Sequence, residues 1–159
     1  MYRTGQGREQ DLLKAAELYR KAADQDYVPA QLALARLYEA GQGVTRSFRE
    51  ALGWYQKSAA QNDEQGLYQV AQCASQGRGM PQDYRLAVQS LRKAAEQGYA
   101  PAYLALGELY EHGRGVQQDY PQALSFYRRV AGEGVAAAQT RLGYLYLQGL
   151  GVPQDLPQA

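Results

Sequence analysis

The chain has little of what site chemistry usually requires. Its 159 residues include one cysteine, Cys73, one histidine, His112, and one tryptophan. A single thiol closes no internal disulfide, and a lone histidine with a lone cysteine builds no His/Cys metal cluster. Nucleophilic and acid–base mechanisms usually need a histidine or a held pair of carboxylates, so this inventory points away from an enzyme and from any cofactor or metal centre. Charge of one sign is also missing: 17 basic and 16 acidic side chains leave a net +1, which favours neither nucleic acid nor an anionic membrane. No run approaches the roughly eighteen apolar residues of a membrane helix, and "MYRTGQGREQ" lacks the apolar stretch of a signal peptide. No β-rich run occurs either. What is abundant is a 45% hydrophobic content, ample for one domain with its own core.

Laid against itself, the chain repeats. Gly41-x-Gly43 recurs as Gly77-x-Gly79, Gly113-x-Gly115 and Gly149-x-Gly151, each 36 residues after the last, with Gly5-x-Gly7 one step upstream. Asp11, Ser47, Asp83, Asp119 and Asp155 keep the same period, as do Ala15, Ala51, Ala87, Ala123 and Ala159, and then Ala23, Ala59, Ala95 and Ala131. A fixed period of this length is the mark of a stacked repeat array. The units run over about 1–27 (partial), 28–63, 64–99, 100–135 and 136–159 (partial), within a single domain spanning 1–159.

Each unit reads as two helices. Ala30, Leu34, Leu37 and Tyr38 recur at steps of three and four, the spacing of one helical face, and Gly41 stands where a helix ends in a left-handed residue. The second helix begins at the Asp/Ser column, whose short acceptor side chains cap exposed backbone N–H groups; Ser47 with Glu50 and Asp119 with Gln122 have capping-box spacing. Leu12, Ala15, Tyr19 and Ala22 form its buried stripe in one unit, and Phe48, Ala51, Tyr55 and Ser58 in the next. The return turn passes through Asp26, Asn62, Gly98 and Gly134, residue types that tolerate positive φ. The glycine pairs therefore punctuate helices. Phosphate-cradling glycine loops follow a strand and open a helix, whereas these follow a helix and lack a Gly-Lys-Ser/Thr.

The phrase Leu106-Gly107-x-x-Tyr110-x-x-Gly113-x-Gly115-Val116-x-x-Asp119-x-x-x-Ala123, with Trp54-Tyr55-x-Lys57-Ser58-Ala59 in another unit, resembles the Sel1-like repeat, a relative of the tetratricopeptide repeat. The resemblance covers essentially the whole chain. It implies an all-α fold, a right-handed α/α superhelical solenoid of 36-residue helix-turn-helix repeats, and a role as a scaffold or adaptor, frequently bacterial, that binds a protein or peptide along a concave face. Two alternatives stand beside that role: an immunity- or inhibitor-type protein neutralising one partner enzyme, and a module for glycan or peptidoglycan fragments. Neither compartment, bacterial cytoplasm or periplasm, is selected. The paired cysteines of the family's disulfide-rich secreted branch are absent.

Transferring the tetratricopeptide pattern, in which non-core positions of the first helices line the concave face, gives the expected partner-binding residues. They are Leu32, Arg36 and Glu39; Tyr68, Gln72 and Gln76; Leu104, Glu108, Glu111 and His112; and Thr140, Tyr144 and Gln148. These columns change size and charge while the core columns stay constant, as a shared scaffold with a private surface would require. His112 falls in the last turn of its helix, where the helix dipole favours a cation. Glu108, Glu111 and His112 could hold a divalent ion only weakly, and a solvated face is the preferred reading. Cys73 replaces a core leucine (Leu37, Leu109, Leu145) and reads as a small buried hydrophobe. The tyrosine columns (Tyr38, Tyr110, Tyr146; Tyr19, Tyr55, Tyr127) read as core.

Both ends of the chain fall inside a unit, which predicts a fragment of a longer array whose uncapped terminal repeats expose Leu142, Leu145 and Tyr146 and can self-associate. The unit 64–99 diverges: Ala71 stands where glycine is usual, Ala74 where tyrosine is, and Ser90-Leu91 where two aromatics are. The missing volume predicts a groove over Ala74.

Overall fold

The computed structural model describes residues 4–151, with side chains from Gln10 onward. Asp155 and Ala159 of the repeat columns, and Tyr2, lie outside the described residues. All regular structure among them is helical, and it divides into two compact units, Met1–Asp83 and Tyr84–Ala159.

The first unit holds α1 (Thr4–Ala23), α2 (Val28–Ala40), α3 (Phe48–Ala60) and α4 (Glu64–Gln76), each packed on the next. Its core joins Leu34, Ala35, Ala51, Tyr55 and Cys73. The second unit holds α5 (Tyr84–Glu96), α6 (Ala100–His112), α7 (Tyr120–Ala131) and α8 (Ala136–Leu147), again packed in sequence. Leu106, Leu124, Tyr127, Val130 and Leu145 are fully buried there. The constant alanines Ala51, Ala87 and Ala123 have no exposed surface, so any larger side chain at these points would force the helices apart.

The turn chemistry is as the repeat columns imply. Gly41, Gly77 and Gly113 end their helices at φ between 64 and 69°, and Asp26, Asn62, Gly98 and Gly134 all take positive φ. The Glu50 amide donates to Ser47 Oγ at 3.2 Å and the Gln122 amide to Asp119 Oδ1 at 2.9 Å, which satisfies orphan donors at the starts of α3 and α7. The second glycine of each pair has a distinct reason to be glycine. A Cβ on Gly43, Gly79 or Gly115 would lie under 3.0 Å from the backbone at Leu12, Phe48 or Tyr84, where the preceding second helix passes. That close approach seats one repeat on the last.

Four expectations need correction. Gly5, Gly7 and Asp11 do not form a stop and a cap, because α1 runs unbroken from Thr4 through all three. No earlier helix stands beside Gly7 among the described residues, so the close approach that defines the other turns is not made. Leu145 on α8 is fully buried, while Leu142 is half-buried and Tyr146 is exposed. Of the tyrosine columns, Tyr38, Tyr55, Tyr110 and Tyr127 are core, but Tyr19 and Tyr146 are 42% and 48% exposed. Ala74 is fully buried as well, so no open groove lies over it.

Candidate functional site

The first helices of each unit carry the expected partner-binding residues, and their burial sorts them. In the first unit Arg36 and Gln76 are exposed, and Glu39, Tyr68 and Gln72 are half-buried. Leu32 is 7% exposed and belongs to the core cluster. In the second unit Glu108, His112, Thr140, Tyr144 and Gln148 are exposed and Leu104 is half-buried. Glu111 is only 6% exposed and is a structural residue, not a surface one.

The reason Glu111 is buried is a hydrogen bond that the sequence reading overlooked. The Tyr127 hydroxyl donates to Glu111 Oε2 at 2.6 Å, and Arg141 Nη1 lies 3.7 Å from Glu111 Oε1. Two repeats earlier the same columns carry Tyr55, whose hydroxyl donates to Glu39 Oε2 at 2.9 Å, with Arg78 at 3.9 Å from that carboxylate. The spacing of sixteen residues was the available signal. In the intervening repeat both columns change together, to Ser75 and Leu91, so neither a buried carboxylate nor a buried hydroxyl is left over there.

A second pair behaves in the same way. Arg20 donates to the Tyr38 hydroxyl, Arg92 to that of Tyr110 and Arg128 to that of Tyr146, always eighteen residues apart. Where Ala74 on α4 replaces the tyrosine, Gln56, eighteen residues earlier on α3, replaces the arginine. The divergent columns are thus coordinated replacements of whole pairs.

The remaining chemistry is sparse. Cys73 is buried, and burial first, then the charge of Glu39, pushes its thiol up to about 11. His112 Nδ1 donates to the Glu108 carbonyl at 2.8 Å, at the end of α6. Among the described residues no three His, Cys, Asp or Glu side chains gather where a metal ion could sit, and no helix is long and apolar enough to cross a membrane. What each unit offers is a helical surface of varied size and charge over a constant core, suited to holding another molecule by shape and charge.

The Sel1 repeat matches the chain five times, at residues 1–27, 28–63, 65–99, 100–134 and 136–159. A protective antigen present in uropathogenic Escherichia coli strains, which displays an SLR fold, is 35% identical with a TM-score of 0.86, over 89% of this chain and 30% of its own. A Sel1 repeat protein from Oxalobacter formigenes is 35% identical with a TM-score of 0.84, over 90% of this chain and 59% of its own. Helicobacter pylori cysteine rich protein B, 22% identical with a TM-score of 0.65 over 84% of this chain and 96% of its own, shares the fold. No curated protein matches the sequence significantly. The chain therefore spans less than two thirds of the first two solved relatives, over nearly all of its own length, and its repeats, its α/α solenoid fold and its turn chemistry agree: it belongs to the Sel1 repeat family.

Proposed function

We propose that this chain is a non-catalytic scaffold that binds a protein or peptide through the variable face of its first helices. Sel1 repeat proteins generally mediate protein–protein interaction, which supports the class of partner. The observation that carries the reading is one column. Arg36, Gln72, Glu108 and Tyr144 occupy equivalent positions in successive repeats, differ in charge and size, and are exposed except for the half-buried Gln72. Neighbouring columns on the same helices stay apolar or small and are buried, Leu34 with Val70 and Leu106 in one and Ala30 with Gly66 and Ala102 in the other. Stability constrains the second set, whereas the first is free to be shaped by recognition. Tyr144, 51% exposed on α8, offers a rigid apolar ring with a polar tip, a common anchor in interfaces.

The test is site-specific photo-crosslinking in the source cell. A photoreactive residue at position 36, 108 or 144 is expected to capture one reproducible protein partner, while the same residue at the exposed second-helix positions 49 and 56 captures none. Capture from positions 49 and 56 alone would place the binding surface elsewhere and defeat the proposal.

A further inference from the structure

On the second unit, away from the variable face of the first helices, α6 and α7 present an aromatic floor ringed by arginines. The rings of Tyr103 and Phe126 lie 6.4 Å apart and those of Tyr110 and Phe126 lie 5.5 Å apart. Two open clefts of about 490 and 200 Å³ share Tyr103 and Phe126 in their walls. Around them stand Arg92, Arg128 and Arg129, all exposed, with Glu96 as the single carboxylate in the lining.

None of these three arginines has a carboxylate within ion-pair distance among the described residues. Each leans on an aromatic side chain instead. The Arg129 guanidinium sits 5.6 Å from the Tyr103 ring centre, Arg92 donates to the Tyr110 hydroxyl at 2.5 Å, and Arg128 donates to the Tyr146 hydroxyl at 2.7 and 3.0 Å. Phenol contacts orient a guanidinium and leave its charge uncompensated, so the fork keeps its full preference for a carboxylate.

The floor is peculiar to this repeat. The Tyr103 column holds Gln31, Leu67 and Gln139 elsewhere, and the Phe126 column holds Trp54 and Ser90. Gln31 and Gln139 each donate to an alanine carbonyl eight residues earlier, at 3.3 and 3.2 Å; Tyr103 makes the equivalent bond to Ala95 at 2.6 Å with its hydroxyl. The tyrosine keeps the structural bond and adds a half-exposed ring that the fold does not require.

We propose that this cleft is a docking site for an acidic peptide segment, with an apolar side chain of the peptide seated on Tyr103 and Phe126 and flanking carboxylates held by Arg92, Arg128 and Arg129. Charge complementarity selects this occupant: three unpaired guanidinium groups against one carboxylate, around a patch apolar enough to take a side chain. A nucleic-acid strand needs an extended basic track for its phosphates, whereas here three arginines ring two adjoining clefts in a chain of net charge +1. This inference extends the protein-binding reading to a second surface and rests on that reading only for the class of partner.

The test is selection of a displayed library of random short peptides on the intact chain, followed by fluorescence anisotropy with the enriched peptides. Acidic sequences bearing an aromatic or aliphatic residue are expected to be enriched, and to bind about tenfold or more weakly to Arg129→Glu and to Phe126→Leu. Arg129 is exposed, so its charge reversal leaves the fold intact by circular dichroism and keeps the test sound should Phe126→Leu unfold. Enrichment without acidic residues, or binding indifferent to Arg129→Glu, overturns the site. Tighter binding of an oligouridylate with the same arginine dependence overturns it in favour of single-stranded RNA. Arg36→Glu separates the two surfaces: peptides lost on that change and kept on Arg129→Glu would refute this cleft and leave the first-helix face standing.

Discussion

The Tyr127 hydroxyl donates to Glu111 at 2.6 Å inside the core of the second unit, and the same bond, Tyr55 to Glu39, recurs two repeats away. A carboxylate is thereby retained where a repeat protein would be expected to keep apolar side chains, because the phenol and Arg141 satisfy it together. Removing the hydroxyl leaves Glu111 Oε2 buried without its donor, with only the Arg141 contact to Oε1 remaining, so Tyr127→Phe should cost about 1–3 kcal/mol. Tyr127→Phe combined with Glu111→Leu, the residue of the equivalent column in α8, should cost less than the two single changes summed. Urea denaturation of the four proteins measures the coupling. A double variant that is merely additive would show that the bond is energetically idle.

Alkaline pH provides an independent reading of the same pairs. Burial foremost, together with the adjoining glutamate, raises the hydroxyls of Tyr55 and Tyr127 well above their ordinary value of 10.0. The folded chain therefore keeps these protons at a pH where the unfolded chain releases them. The stability they contribute is complete below pH 10 and declines as pH rises beyond it, since the native state then binds more protons than the unfolded one. Wild-type urea midpoints should fall steeply above pH 10, and Tyr55→Phe with Tyr127→Phe should flatten that slope. An unchanged slope would assign the alkaline transition to other groups.

Cys73, buried with its thiol pushed up to about 11, should be inert in the native chain. At pH 8 the thiolate, which is the reactive form, is scarce as well as inaccessible. Labelling by a chromogenic disulfide reagent should track unfolding in denaturant, with no fast phase beforehand. Prompt native-state labelling would mean that α4 opens locally.

The two kinds of glycine should separate by cost. A Cβ at Gly79 or Gly115 strikes the backbone of the preceding second helix at positive φ, whereas one at Gly98 meets open space at φ 83°. Gly98→Ala carries conformational strain alone, about 1 kcal/mol, while Gly115→Ala must also displace α5 and should cost more than 3 kcal/mol. Thermal melts of both variants decide the matter, and equal losses would refute the packing role.

Ala74, fully buried, should not accept the tyrosine that the repeat pattern suggests. Ala74→Tyr should destabilise the chain by about 1–3 kcal/mol through overpacking. Adding Gln56→Arg should restore part of the loss by supplying the guanidinium partner that Tyr38, Tyr110 and Tyr146 have. A stabilising Ala74→Tyr would show that volume was indeed missing.

By itself the sequence determined the period, the helix pairs and the turns, because these depend on local causes repeated in register. Gly41 can take a left-handed conformation, Ser47 and Asp119 can reach the amide three residues on, and the column of Ala51, Ala87 and Ala123 keeps one small apolar side chain in register. The reading of surface against core failed where the deciding partner lies sixteen or eighteen residues away on another helix. Glu111 looked like a surface charge until Tyr127 and Arg141 were placed around it, and Leu145 like a frayed end until α7 was laid against α8. The gathering of Arg92, Arg128 and Arg129 about Tyr103 and Phe126 was likewise invisible in the chain, since α5, α6 and α7 each contribute a part and the pairing of their faces comes only with packing. Hydrogen bonding and charge compensation between helices are properties of three-dimensional distance, and only the tertiary structure supplied them.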